Sequence, residues 1–216
     1  MIDPIRKAID EAEVLADGTS GELAFPYLPP RRLLDLSLFY EVADWSPEAA
    51  AYLAAENISH EITLSHAGIF AVCPCTFNCR RFEIDQEGVP AAVVEVLADD
   101  AATPIDLCAW PLDRPERFAT ALGEADLIGI TNVTNPATFA GGRPLRVWRT
   151  PLAWLKAGCQ GCAVLNPAGG RHWLPMAPGK LLAESLEHGR ALRSMLGKDF
   201  DPNRLLVPAE KQRSAA

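Results

Sequence analysis

Two groups of residues carry most of the chemistry open to this sequence. The first is the cysteines. Cys73, Cys75 and Cys79 lie close together, and Cys159-Gln-Gly-Cys162 is a Cys-x-x-Cys. A Cys-x-x-Cys can offer two thiolates to zinc, and the first cluster can complete a tetrahedral set. Against this, Cys-x-Cys-x-x-x-Cys is not a standard zinc knuckle, and free cysteine is among the most buried residue types. A thioredoxin-type pair opens a helix after a strand, whereas Cys159 and Cys162 follow a helix. The expectation is free thiols with no metal and no cofactor. The alternative zinc set is Cys73, Cys75, Cys79, Cys159 and Cys162.

The second group is Arg146-Val-Trp148-Arg149, with Trp154 a turn or so beyond. Guanidinium beside indole can hold a phosphate or a nucleobase. The plainer reading is a cation–π packing cluster without a ligand. Arg146, Trp148, Arg149 and Trp154 are the candidate ligand-binding residues, and no catalytic residue is assigned. Other motifs fail. His60-Glu61 opens no zincin, because Leu64 stands where the second histidine belongs. Gly179-Lys180 opens no phosphate loop, because Leu174 replaces its first glycine and Leu181 the Ser or Thr that ligates magnesium. His60 and His66 read as near-core histidines, His172 and His188 as surface ones.

The elements that position the arginines and tryptophans are written locally. Leu145 to Trp148 reads as a short strand, with Leu145 and Val147 on one face and Arg146 and Trp148 on the other. Thr150 is a helix N-cap and Pro151 takes the first helical position, where a missing N–H costs nothing. Gly158 closes that helix, and Cys162 to Leu165 is a second apolar strand. Lys180 to Ala183 reads as a strand. Ser185 caps a last helix with Leu192, Met195 and Leu196 inward and Gly197 at its stop.

Upstream, Asp3-Pro4 starts an amphipathic helix that Gly18 ends. Leu33 to Val42 is apolar enough for a strand or a buried helix. Ser46-Pro47-Glu48 starts another helix, ending near Asn57. Ile58 to His66 alternates apolar and polar residues, which predicts a half-buried strand, with Ile69 to Cys73 as its hairpin partner. Ala92 to Ala98 and Ile105 to Trp110 form a strand pair, apolar on both faces and therefore central. Asp113 to Glu116 has capping-box spacing and predicts a helix to Gly123. Residues 129–144 read as a connection rich in Gly, Asn, Pro and Thr. The fold class expected is α+β: a mixed β-sheet covered by helices, rich in strand pairs in the first half and in strand–helix alternation in the second. It is one globular domain over 1–216, with an N-terminal helical arm over 1–30 and a loose polar tail over 198–216.

The 216 residues are 49% hydrophobic and 22% charged, as in an ordinary globular protein. Apolar runs fall far short of a membrane span and no signal segment opens the chain, so the expected setting is cytoplasmic, with six reduced cysteines. Charge is uneven. Residues 1–142 carry 8 basic and 23 acidic side chains, whereas 143–216 carry 12 and 5. Such a break is compatible with a polyanion partner for the basic part, or with the basic part docking on the acidic part of its own chain. The second reading is the plainer one.

Three segments carry a resemblance: Asp106-Leu-Cys-Ala-Trp-Pro-Leu-Asp-Arg-Pro-Glu-Arg-Phe118, Pro144-Leu-Arg-Val-Trp-Arg-Thr-Pro-Leu-Ala-Trp-Leu-Lys-Ala-Gly-Cys159 and Leu182-Ala-Glu-Ser-Leu-Glu-His-Gly-Arg-Ala-Leu-Arg193. Over its last half the chain resembles an uncharacterised family of alphaproteobacterial proteins, often linked to phage or other mobile elements. The resemblance implies a bacterial cytosolic setting and no particular activity. The function expected is that of a non-catalytic accessory or interaction protein. Its partner is an unknown protein, or a polyanion met through the basic C-terminal part. The alternatives are a small enzyme acting on an anionic substrate near Arg146 and Arg149, and a zinc-stabilised module.

Overall fold

The computed structural model describes residues 47–59, 61, 63 and 69–208, all within the unit spanning 32–216. The helix expected from Asp3, the arm over 1–30, the Leu33–Val42 segment, His60, His66 and the end of the tail lie outside the described residues. The architecture is α+β, with two mixed sheets and helices packed on them.

The first half is a small closed barrel. Its strands are β1 (Phe70–Asn78), β2 (Arg81–Ile84), β3 (Val89–Leu97), β4 (Pro104–Pro111) and β5 (Ala119–Thr120). They close in the order β1-β2-β5-β4-β3, antiparallel except where β2 meets β5. Alternation along a strand sends neighbouring side chains to opposite faces, and here both faces are apolar. Cys73, Cys75, Phe82, Ala91, Val93, Leu107, Ala109 and Ala119, drawn from all five strands, fill the interior. The other parity of β1, β3 and β4 (Phe70, Ala92, Val94, Cys108, Trp110) packs outward against α1 (Pro47–Ala55) and the Trp154 region. This is why β3 and β4 read as apolar on both faces.

The second half is a five-stranded sheet in the order β10-β9-β7-β8-β6. Its strands are β6 (Leu127–Ile128), β7 (Leu145–Trp148), β8 (Cys162–Val164), β9 (Leu181–Ala183) and β10 (Leu205–Leu206). The helices between them are α2 (Thr131–Thr134), α3 (Pro151–Lys156), α4 (Pro167–Trp173) and α5 (Leu186–Leu196). Pairing is parallel except for β6 with β8, and β7 is central. The local signals around β7 are realised. Thr150 Oγ1 accepts from the Ala153 N–H at 3.1 Å, with Pro151 following it. Ser185 caps α5, Leu192 and Leu196 are buried, and Gly197 ends it at φ +84°.

Four expectations are corrected. Ile58–His66 is not a strand where it is described: Glu61 and Thr63 are helical, and the Ser59 carbonyl accepts both the N–H and the hydroxyl of Thr63, at 3.0 and 2.9 Å. Thr63, on the supposedly polar parity, is buried. The partners of β1 are therefore β2 and β3. The helix expected from Asp113 is absent. Pro115 disfavours the α region for Arg114, which would have been the first helical residue. The segment instead turns twice and joins the barrel as β5. The 129–144 connection is more ordered than expected, with α2 and a 3-10 stretch over Pro136–Gly142 capped by Asn135. The tail is held through Leu206: β10 pairs with β9, and Arg204 donates to the carbonyls of Pro175, Ala177 and Gly179.

Candidate functional site

A polar hollow opens on the face of β7 that carries Arg146. Register places Arg146 beside Leu182 of β9. The Asn132–Pro144 segment forms one wall and the Gln160-Gly161 loop the other. The cleft encloses about 450 Å³ and is lined by Asn132, Asn135, Thr138, Arg143, Arg146 and Gln160, with Ala137, Pro144, Gly161 and Leu182 completing it. Among the described residues, no carboxylate lines it.

The Cys159–Gly161 loop is rigidly held, and this explains most of the aromatic and cysteine signals in the sequence. The Gln160 carbonyl accepts from the Trp148 indole N–H at 2.7 Å. The Gly161 carbonyl accepts from the Trp154 indole at 3.1 Å and from Asn132 Nδ2 at 2.8 Å. Asn132 Nδ2 also reaches the Cys159 carbonyl at 3.3 Å. Gly161 sits at φ +83°, and a Cβ there would stand 2.3 Å from the Arg146 carbonyl oxygen. Only glycine satisfies both the left-handed backbone and that approach.

The four residues singled out from sequence are dispersed. Arg146 and Trp148 stay together, with the guanidinium carbon 5.3 Å from the indole centroid. Arg146 is exposed and lines the cleft. Trp154 is core, packed with Leu155, Cys159 and Trp110. Arg149 lies elsewhere: its N–H donates to Glu184 at 2.9 Å, its guanidinium faces Glu187 at 3.4 Å, and it borders a mostly apolar groove between α4 and α5. Arg143, not singled out from sequence, joins the cleft. Its Nε and Nη2 donate to the Ala140 and Ala137 carbonyls at 3.0 and 2.9 Å, which fixes the guanidinium in the wall. Asn132, Asn135, Thr138 and Gln160 were also missed. The signal available for the first three was the Asn- and Thr-rich composition of residues 129–144.

The cysteines do not assemble. Among the described residues no group of three or more His, Cys, Asp or Glu side chains is placed to hold a metal ion, so the five-cysteine zinc set is not formed. Cys159 and Cys162 are buried, and burial pushes each thiol up to about 12. That is the environment of an inert thiol, not of a redox pair. Burial also holds the Cys108 thiol well above its ordinary range, with the Asp106 charge adding to it. Cys73 and Cys75 face each other inside the barrel with their Sγ atoms 3.9 Å apart. Their S–H···S contact is the main cause that lowers Cys73 and raises Cys75.

Among the described residues, ion pairing between the basic and acidic blocks is sparse. Between described residues, one ion pair joins the two, Lys156 with Glu56. Several arginines of the basic block serve instead as clamps on backbone carbonyls: Arg171 on Met195, Arg193 on Phe200, and Arg204 on the 175–179 turn. Among the described residues, the Arg146 side chain has only its indole contact. No helix among the described residues is long and apolar enough to cross a membrane. No protein-family model matches the chain, and no match was found among curated proteins or solved structures.

Proposed function

We propose that this chain is a non-catalytic binding protein that takes an anionic polymer, single-stranded nucleic acid in the first instance, through the cleft on β7 and β9. One observation carries the reading. The cleft presents two guanidinium groups with amide and hydroxyl neighbours, and among the described residues its lining has no carboxylate to oppose an anion. A polyanion gains affinity by exchanging condensed counterions for such fixed cations. Arg143 is held by two carbonyls and Arg146 rests over Trp148, so both are partly pre-oriented and lose less side-chain freedom on binding. The volume suits a few groups of such a polymer rather than a long duplex.

The enzyme alternative finds little support here. Among the described residues, arginine is the only ionisable type in the lining, with no His, carboxylate, Lys, Tyr or Cys placed there as general acid or base. The cellular setting we infer, the bacterial cytosol near mobile genetic elements, rests on the family resemblance alone. The test is a Trp fluorescence titration with a single-stranded oligonucleotide over a series of salt concentrations. Two phosphate contacts give a log–log slope of about −1.4, and Arg146→Ala should make it shallower by about 0.7. An absence of binding at low salt refutes the reading.

A further inference from the structure

Two thiols face each other inside the barrel with no third ligand beside them among the described residues. Cys73 and Cys75 are two residues apart on β1, so both side chains enter the same interior. Phe82, Ala91, Val93, Leu107 and Ala109 share that interior, and none of them can coordinate a metal. Among the described residues no further cysteine, histidine or carboxylate completes a set of three. Two donors are too few for zinc, which takes four. They are a full complement for a d10 monovalent ion, which soft sulfur ligands select and which accepts two ligands in line.

The spacing fits that geometry better than it fits a disulfide. Two metal–sulfur bonds of about 2.3 Å laid in line span at most about 4.6 Å, taking the zinc–sulfur length as the yardstick. The sulfurs stand at 3.9 Å and need to part only slightly. A disulfide would have to bring them much closer. Residues two apart on a strand hold their Cα atoms about 6.6 Å apart, near the outer limit that a disulfide spans. Access is short. A hollow of about 260 Å³ on the barrel surface has Cys75 in its wall, beside Gly88, Val89 and Pro111. Gly88 lies flat against the Cys75 backbone, where a Cβ would come within 2.3 Å of the Cys75 carbonyl carbon.

We propose that Cys73 and Cys75 form a two-coordinate site for copper(I) inside the barrel. Two thiols and one copper(I) ion give a bis-thiolate complex of net charge −1 and release two protons to water. No electron is transferred. The apolar wall keeps water and further ligands from the ion, which favours two-coordination over exchange.

The experiment is an anaerobic titration of the reduced full-length chain with copper(I) against a chromogenic copper(I) chelator. It is run in a Cys79→Ser background, which removes the exposed thiol. One equivalent should be withheld from the chelator, and Cys73→Ser or Cys75→Ser should each abolish this while Cys162→Ser leaves it. The proposal is overturned if no copper is withheld, or if folded Cys73→Ser and Cys75→Ser variants withhold as much as their parent. Should those variants fail to fold, silver(I) added to the parent and followed by amide NMR decides. Shifts centred on Cys73, Cys75, Ala91 and Val93 support the site. Shifts centred on Cys159 or Cys162, or none, overturn it.

Discussion

Asp106 is fully buried on β4, and its carboxylate organises the path of the chain out of the barrel. Oδ1 accepts the N–H groups of Leu107 and Leu122, both at 2.8 Å. Oδ2 accepts those of Glu124 and Ala125, at 2.8 and 3.2 Å. Asp106→Asn preserves shape and volume but turns one oxygen into an N–H₂ donor. Whichever way the amide is turned, two backbone donors then face a donor instead of an acceptor. A buried donor left without a partner costs about 1–3 kcal/mol, so the substitution should cost about 2–6 kcal/mol. That is a large share of the roughly 5–15 kcal/mol that holds a domain together. In urea the midpoint should fall by on the order of 1–2 M with the m-value unchanged. Asp100→Asn is the control. Asp100 organises an exposed turn through Ala102 and Thr103, where water replaces lost partners, and its substitution should change little. If Asp106→Asn unfolds within about 0.5 kcal/mol of the parent, the carboxylate is not what pins residues 122–125, and the account of this segment fails.

Thr150→Ala should lower stability by about 1 kcal/mol, the usual worth of an N-cap, in a denaturation experiment; an unchanged midpoint would speak against the Thr150–Ala153 bond. His188 is held below its ordinary range mainly by burial, with Arg149 reinforcing and Glu184 opposing, and its Nδ1 accepts the Glu184 N–H at 3.3 Å. The unfolded chain therefore takes up this proton more readily, so the contribution is complete above about pH 6.5 and is lost as pH falls through the folded value. Denaturation midpoints from pH 7.5 down to about pH 5.5 should fall in the parent and fall less in His188→Gln. Cys159 and Cys162, raised to about 12, should resist a thiol reagent in the native chain and react on unfolding, whereas exposed Cys79 should react at once; fast native labelling of Cys159 would contradict their burial.

Much of the second half was legible because its signals are local. Thr150-Pro151, Gly158, Ser185 and Gly197 act on their own turn of backbone, and each acts where the sequence puts it. The parity of β7 also held, with Leu145 and Val147 buried and Arg146 exposed. What failed was decided at a distance. The capping-box spacing at Asp113 lost to Pro115 beside it and to Asp106 farther back, whose carboxylate holds the N–H groups of Leu122 and Glu124 as the chain leaves the barrel. The period-two pattern of Ile58–His66 lost to a helical Ser59–Thr63 bond, because a short apolar run does not separate the two periods. The cleft was half legible. Arg146 and Trp148 stand out on one strand, but Asn132 comes from α2, Thr138 and Arg143 from the 3-10 stretch and its end, and Gln160 from the loop before β8, and these meet only once β7, β8 and β9 pair. Trp154 looked like a ligand platform because indole chemistry is the same whether its N–H meets a base or, as here, the Gly161 carbonyl.

An anionic strand bound in the cleft on β7 and β9 would leave its mark on a few residues of the cleft wall. Amide and side-chain NMR at low salt, with a short single-stranded oligonucleotide added stepwise, tests where it binds as well as whether it binds. The account predicts shifts centred on Asn132, Thr138, Arg143, Arg146 and Gln160, together with the Trp148 indole, reversed by added salt and lost in Arg146→Ala. Shifts centred on Arg149 and α5, or on Arg80, Arg81 and the barrel, would contradict it, as would a spectrum that does not change at all.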